Sequence, residues 1–126
     1  MREIGPDAFY GCKSLKQITF AEGNRLEKIG KGSFWESGIE KIVIPKGVEE
    51  IPFGVFSNCE NLKEVVFEAG SALKNIGDWV FCNCKNLKNI QFPDGLETIG
   101  MDCFWNSGLE EVVLPASVKN IEPCAF

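Results

Sequence analysis

Hydrophobic positions recur along the chain at intervals of 22 to 25 residues. In each repeat an isoleucine is followed five residues later by a phenylalanine, and from the second repeat onward another aliphatic residue stands three positions before the isoleucine. The pairs are Ile4/Phe9, Ile29/Phe34, Ile51/Phe56, Ile76/Phe81, Ile99/Phe104 and Ile121/Phe126. Self-similarity at such a period is the signature of a repeat architecture.

A strand-like segment follows each of the first five phenylalanines. The segments read LKQITF, IEKIVI, LKEVVF, LKNIQF and LEEVVL. Apolar and polar residues alternate in most of them, which is typical of a half-buried β-strand. In the second repeat, Ile42 and Ile44 are predicted to point inward while Lys41 and Val43 point outward. The repeats differ in length in only two loops, so the invariant spacing marks the parts that stack.

One such repeat cannot bury both of its faces, but a stack of repeats can. We therefore predict an α/β repeat solenoid, a right-handed superhelix with a parallel β-sheet on its concave face and little regular helix. The segment from the isoleucine to the phenylalanine is too short for a stable helix and predicts a short strand or extended turn followed by a helical turn. Residues 1–126 are expected to form a single domain. Its repeats start at Ile4, Ile29, Ile51, Ile76 and Ile99, with a partial sixth at Ile121.

The fourth repeat shows the complete pattern, LKNIGDWVFCNCKNLKNIQFPDG, from Leu73 to Gly95. The motif L-x-x-I-x-x-x-x-F-x-x-C-x-x-L-x-x-I-x-F resembles the BspA-like leucine-rich repeats, and the resemblance extends from Ile4 to Phe126. It implies a curved leucine-rich-repeat solenoid, found mostly on cell-surface or secreted proteins of bacteria and mucosal protozoan parasites. Some family members are similar to adhesins that bind host proteins such as fibronectin and fibrinogen. The family's repeat has no catalytic residues, so the resemblance implies a protein that is not an enzyme.

Composition and charge argue against several classes of function. Thirteen basic and eighteen acidic residues give a net charge of −5, which argues against nucleic-acid binding because that depends on cationic contacts to phosphate. No apolar run approaches the roughly 18 residues of a membrane helix, so we expect no membrane insertion. The chain has no histidine, the commonest general base and metal ligand. We therefore expect no catalysis, no cofactor and no metal.

Six cysteines remain to be explained. Cys12, Cys59 and Cys84 share the position three residues after the phenylalanine, where Ser37 and Ser107 stand in the other repeats. This alternation indicates a small residue in a tight turn. The alternatives are a disulfide between Cys59 and Cys84, which stacked repeats about 5 Å apart would permit, and a metal site at the CNC sequence. No second cysteine pair at zinc spacing supports the metal site, and we expect reduced thiols.

The outward strand positions are the candidate surface for a protein partner, since solenoids commonly bind through such faces. One column comprises Gln17, Lys41, Glu64, Asn89 and Glu111, and the next comprises Thr19, Val43, Val66, Gln91 and Val113. The valines either form an apolar strip for a partner or reflect the strand preference of β-branched residues.

Two tryptophans directly follow core phenylalanines. Trp35 and Trp105 form a possible secondary aromatic patch, because tryptophan is enriched at interaction hot spots. The alternative is that these rings shield the core where the following loop is shorter.

Together these features predict a non-catalytic protein-interaction module. With the resemblance, they suggest part of a cell-surface or secreted adhesin-like protein that binds host matrix or plasma proteins through the concave face. The alternative is an architectural or self-associating array, or an intracellular scaffold. Open solenoid ends invite pairing into a homo-oligomer. The first residues, MREIGPDAF, lack the apolar stretch of a signal peptide, so a cytoplasmic location also stays open.

Overall fold

The computed structural model describes residues 2–126. It is a β-solenoid of about five turns, in which each repeat forms one coil and the strands pair in parallel ladders. No helix occurs within residues 2–126, so the α/β description is not confirmed there. The right-handed winding and the concave position of the sheet stay predictions. The strands are β1 (Glu3–Ile4), β2 (Lys28–Ile29), β3 (Lys41–Ile44), β4 (Glu50–Ile51), β5 (Glu64–Phe67), β6 (Asn75–Ile76), β7 (Asn89–Gln91), β8 (Thr98–Ile99), β9 (Glu111–Val113) and β10 (Asn120–Ile121).

The repeated isoleucines end two-residue strands that stack directly on one another. β4, β6, β8 and β10 form a four-stranded sheet, and Ile76 pairs with both Ile51 and Ile99. β1 pairs with β2 in the same register. The predicted single file of isoleucines is thereby confirmed along these ladders.

The isoleucine ladder is interrupted between β2 and β4, although the two strands lie side by side. In other coils the residue after the isoleucine donates its N–H to the carbonyl of the isoleucine in the preceding coil. An example is the bond of 2.8 Å from Gly77 to the Ile51 carbonyl. At the equivalent position Pro52 has no N–H to donate, which accounts for the missing bond.

The longer strands lie in a second set of parallel pairs. β3 pairs with β5 and β7 with β9, and an isolated bridge joins Gln17 to Lys41. β5 and β7 are neighbours without ladder pairing. Ile42 and Ile44, which were predicted to point inward, are buried.

After each isoleucine, the chain forms consecutive tight turns instead of the predicted helical turn. These turns continue to the second residue after the phenylalanine. We call residues 5–11, 30–36, 52–58, 77–83, 100–106 and 122–126 the turn segments. The third residue after each isoleucine has positive φ, as at Asp7 (55°) and Gly54 (66°). Alternate N–H groups bond to the next coil, for example Phe9 to the Ser33 carbonyl at 2.7 Å. A left-handed residue at this position prevents a helix from forming.

The phenylalanines of all six turn segments stack in one column, as the spacing predicts. Consecutive ring centroids from Phe9 to Phe126 lie 5.2, 5.6, 5.5, 5.1 and 5.2 Å apart, with interplanar angles of 15° or less. Offset stacking of this kind is favourable beyond the burial of the rings. Together with the buried isoleucines and leucines, this column forms one continuous core, and each fully buried side chain contributes roughly 1.5–3 kcal/mol.

Two glycines explain why the second and fifth repeats have a shorter loop after the phenylalanine. A Cβ on Gly38 would collide with the Lys13 carbonyl, and one on Gly108 with the Lys85 carbonyl. The N–H groups of these glycines bond to the carbonyls of Cys12 and of the equivalent Cys84, each at 3.0 Å. Without a side chain, the shorter loop can lie against the preceding coil.

Candidate partner-binding surface

The outward strand positions form a continuous exposed surface, which we call the strand face. All ten predicted residues are exposed, and the strand register aligns their columns between paired strands. They are Gln17, Thr19, Lys41, Val43, Glu64, Val66, Asn89, Gln91, Glu111 and Val113. The first column pairs Lys41 with Glu64, and the second pairs Val43 with Val66. Partner binding by these residues stays a prediction.

Three valines give the strand face an apolar strip. Val43 is 41% exposed, Val66 is 37% exposed and Val113 is 73% exposed, while Gln91 interrupts the column between the last two. Their exposure makes the side chains available for contact, and it is equally what a β-former on a solvated face would show.

Charges on the strand face nearly cancel. One lysine and two glutamates belong to it, and Lys41 lies 3.7 Å from Glu64 on the neighbouring strand. Similar pairs cross between coils at its border, such as Lys16 with Glu40 and Lys88 with Glu110. Exposed pairs of this kind contribute about 0–1 kcal/mol each. A partner would therefore be bound mainly through shape and apolar contact.

Two grooves are each lined by strand-face residues of two neighbouring coils. One of about 320 Å³ lies along the first two coils, where Gln17, Thr19, Lys41 and Val43 are among its lining residues. Another of about 480 Å³ lies beside β5 and β7, where the ladder is interrupted, and Val66 and Gln91 line it. A third groove, of about 700 Å³, lies beside Pro52 and β2, away from the strand face. The first two grooves make the strand face uneven, and partner side chains could fit into them.

The two predicted aromatic residues lie in different surroundings. The Trp35 ring is half-buried between Tyr10 and Phe53, with centroid distances of 6.4 and 5.9 Å, and it lies over Gly54. Trp105 is 52% exposed, and Ser57 and Cys82 occupy the same position in the two repeats between them. Trp35 and Trp105 therefore do not form one patch by themselves.

Three further large side chains on the turn segments were not predicted as part of the aromatic surface. Phe53, Trp79 and Met101 are each 39% to 47% exposed. They stand two or three residues after an isoleucine, where other repeats have small or charged residues, so the repeat pattern alone does not mark them. They are recognised only from the structure, which shows these side chains exposed in a turn.

The cysteine position has a hydrogen-bonding role. The Cys59 thiol donates to the Phe34 carbonyl at 3.0 Å, and the Cys84 thiol donates to the Phe56 carbonyl at 3.2 Å. A hydroxyl can make the same contact, which suits a position shared by cysteine and serine. Burial raises the pKa of Cys59 to about 11 and that of Cys84 well above its ordinary value. These thiols are free and stay protonated at neutral pH.

Within residues 2–126, no three histidine, cysteine or acidic side chains come together in a way that could hold a metal ion. In the same part of the chain, no helix is long and apolar enough to cross a membrane.

Comparison with protein families gives one match that spans the chain. The family described as BspA type leucine rich repeat region matches residues 1–72 and 67–126, with six copies of the repeat. A search of the curated proteins found no match.

Several solved structures are similar. The pneumococcal vaccine antigen PcpA is 33% identical, with a TM-score of 0.81 over 85% of this chain and 26% of that chain. A leucine-rich repeat protein of T. pallidum is 26% identical, with a TM-score of 0.74 over 94% and 55% of the two chains. One from Bacteroides ovatus is 28% identical, with a TM-score of 0.64 over 95% and 36%. The chain thus spans between about a quarter and just over half of the length of these proteins.

Proposed function

Because the chain belongs to the BspA-type leucine-rich repeat family, we propose that it is a non-catalytic protein-interaction module that binds a protein through its strand face. The supporting observation is that ten side chains from five successive coils are exposed, eight of them on strands that pair in register as β3 with β5 and β7 with β9. Such a preformed surface loses little conformational entropy on binding, so many modest contacts can add up to useful affinity.

The proposed partner is a matrix or plasma protein of a host, and the proposed location of the parent protein is the cell surface or the extracellular space. Leucine-rich repeats in general bind proteins, and the similar pneumococcal protein is a vaccine antigen. The proposal includes the right-handed superhelix and the concave position of the strand face. A concave face would let strands of several coils contact one partner at once.

The test replaces the apolar strip. A variant with Val43→Lys, Val66→Lys and Val113→Lys adds three charges to the strand face. The matched control, Asn75→Lys with Thr98→Lys and Asn120→Lys, adds the same charge to the isoleucine strands β6, β8 and β10. Binding to immobilised fibronectin and fibrinogen is measured by surface plasmon resonance, and urea unfolding verifies that both variants fold.

We expect the strand-face variant to bind at least about tenfold more weakly, a loss of roughly 1.4 kcal/mol, and the control to bind as the original chain does. Unchanged binding by the strand-face variant would exclude this face as the binding surface. If the original chain binds neither protein, the proposed matrix or plasma partner is wrong.

Self-association is the second candidate, since the strand edges and apolar faces of a repeat array can also pair two copies of the chain. Sedimentation velocity should then show a weight-average mass that rises with concentration. A constant monomer mass up to millimolar concentration would refute self-association.

A further inference from the structure

A second candidate surface lies on the stacked turn segments, which we call the turn ridge. All three tryptophans and the single tyrosine of the chain belong to it. Outside the phenylalanine column, its partly exposed large apolar residues are Tyr10, Trp35, Phe53, Trp79, Met101 and Trp105. Exposed aromatic residues at this density are unusual for a face with no partner, since isolated exposed apolar residues are the norm.

Three of these rings form one aromatic surface across three coils. The Tyr10 ring stacks on Trp35 with an interplanar angle of 18°, and Phe53 packs against the other side of Trp35 at 39°. Gly54 leaves the space that the Trp35 ring occupies. Tyr10 and Phe53 remain about half exposed, so they offer ring surface to a partner.

The negative charge of the chain is concentrated on the same ridge. The turn segments contain five carboxylates, Asp7, Glu36, Asp78, Asp102 and Glu122, and one basic residue, Lys31. The rest of the chain has thirteen acidic and twelve basic residues, so four of the five net negative charges belong to the turn ridge.

Four of the five turn-ridge carboxylates accept no hydrogen bond found within residues 2–126, whereas one oxygen of Asp78 accepts the Met101 N–H at 2.8 Å. None of the five is buried. The six ion pairs found within residues 2–126 all join side chains outside the turn ridge. Salt bridges therefore do not neutralise the negative charge of the turn ridge. On the strand face, by contrast, Lys41 pairs with Glu64.

We propose that the turn ridge binds an arginine-rich segment of a protein partner. A guanidinium stacks on exposed aromatic rings and is attracted to their faces, while nearby carboxylates accept its hydrogen bonds. An acidic segment would be repelled by the same carboxylates, and a purely apolar one would leave them unpaired. This surface is independent of the strand face.

The probe is a hexa-arginine peptide, titrated into the chain while tryptophan fluorescence is recorded. Because every tryptophan lies on the turn ridge, the signal reports on that surface. We expect a saturable change with hexa-arginine, weaker binding at higher ionic strength because the charges are exposed, and no change with hexa-glutamate. Absence of a saturable change with hexa-arginine would overturn the proposal.

The variants use residues that other repeats already have at the same positions, so the coil geometry should tolerate them. Phe53→Lys copies Lys31, and the pair Asp7→Gly with Asp102→Gly copies Gly32 and Gly54. The control pair, Glu3→Asn with Glu50→Asn, copies Asn75 and Asn120 on the isoleucine strands and removes as much negative charge. Urea unfolding verifies that each variant folds.

We expect Phe53→Lys and the Asp pair each to weaken hexa-arginine binding about fivefold, as for one exposed cation–π contact, and the Glu pair to change it by less than about twofold. If the Glu pair weakens hexa-arginine binding equally, the peptide is attracted by net charge alone and the proposal is overturned. The proposal is also overturned if the turn-ridge variants bind hexa-arginine as the original chain does. The strand-face variant with three lysines adds positive charge at a distance and should still give a saturable signal, which separates this proposal from the proposed function.

Discussion

The phenylalanine column offers a stringent test of the packing, because the same side chain occurs in different surroundings along it. Phe56 is fully buried and stacks between Phe34 at 5.6 Å and Phe81 at 5.5 Å. Phe126 stacks only on Phe104, at 5.2 Å, and is 52% exposed. Truncation at the two positions should therefore have very different costs.

For Phe56→Ala we expect the free energy of unfolding to fall by about 3–5 kcal/mol, as for other phenylalanine truncations in well-packed cores. The loss comprises the hydrophobic free energy of burying the ring, the cost of the cavity left between two rings, and two stacking contacts of roughly 0.5–1.5 kcal/mol each. For Phe126→Ala half of the ring is already in water and only one stacking contact exists. We expect a loss of about 1–2 kcal/mol there.

The measurement is urea unfolding followed by far-ultraviolet circular dichroism, with the slope of the transition checked for each variant. Phe56→Leu retains most of the apolar volume but loses both ring stacks, so it should cost about 1–3 kcal/mol and gives a folded reference if Phe56→Ala is too unstable to study. Equal losses for Phe56→Ala and Phe126→Ala, or a loss below about 1 kcal/mol for Phe56→Ala, would refute the stacked-column argument.

Two further predictions concern buried polar groups. Ser33→Ala should raise the free energy of unfolding by about 1 kcal/mol, because the Ser33 hydroxyl is buried without a partner and Ala125 fills the same position; no gain in the urea midpoint would contradict this. Burial raises the Cys59 pKa from 9.0 to about 11, so its contribution to stability is complete below pH 9 and is lost as the pH rises toward 11. Cys59→Ser, which copies Ser37, should reduce the fall of the urea midpoint between pH 8 and pH 10.5, and an unchanged fall would refute that assignment.

The repeat spacing was sufficient to predict the stacked columns. Ile51, Ile76 and Ile99 pair in register as expected, because only direct stacking buries the same position of every repeat. The alternation in IEKIVI likewise predicted that Val43 would be exposed and Ile42 buried. In both cases the burial requirement is the same in every coil, so the repetition itself reveals it.

The turn segments were predicted less well. The helical turn expected after each isoleucine is a series of tight turns with a left-handed residue, such as Asp102 or Gly32. Even Trp79 has a φ of 62° there, so residue preference alone does not mark the position. The hydrogen bonds to the adjacent coil favour this conformation, and such bonds are not visible in one repeat taken alone.

The sequence by itself determined which side chains form the core and which strand positions face outward, since every coil must satisfy the same packing. Only the tertiary structure showed that Pro52 interrupts one ladder, that the Cys59 thiol bonds to the coil before it, and that Trp35 packs over Gly54. These features depend on which particular residue the neighbouring coil presents, and that differs from one pair of coils to the next. The same distinction explains why the strand face could be proposed from the repeat, whereas the aromatic and acidic turn ridge emerged only when the coils were stacked.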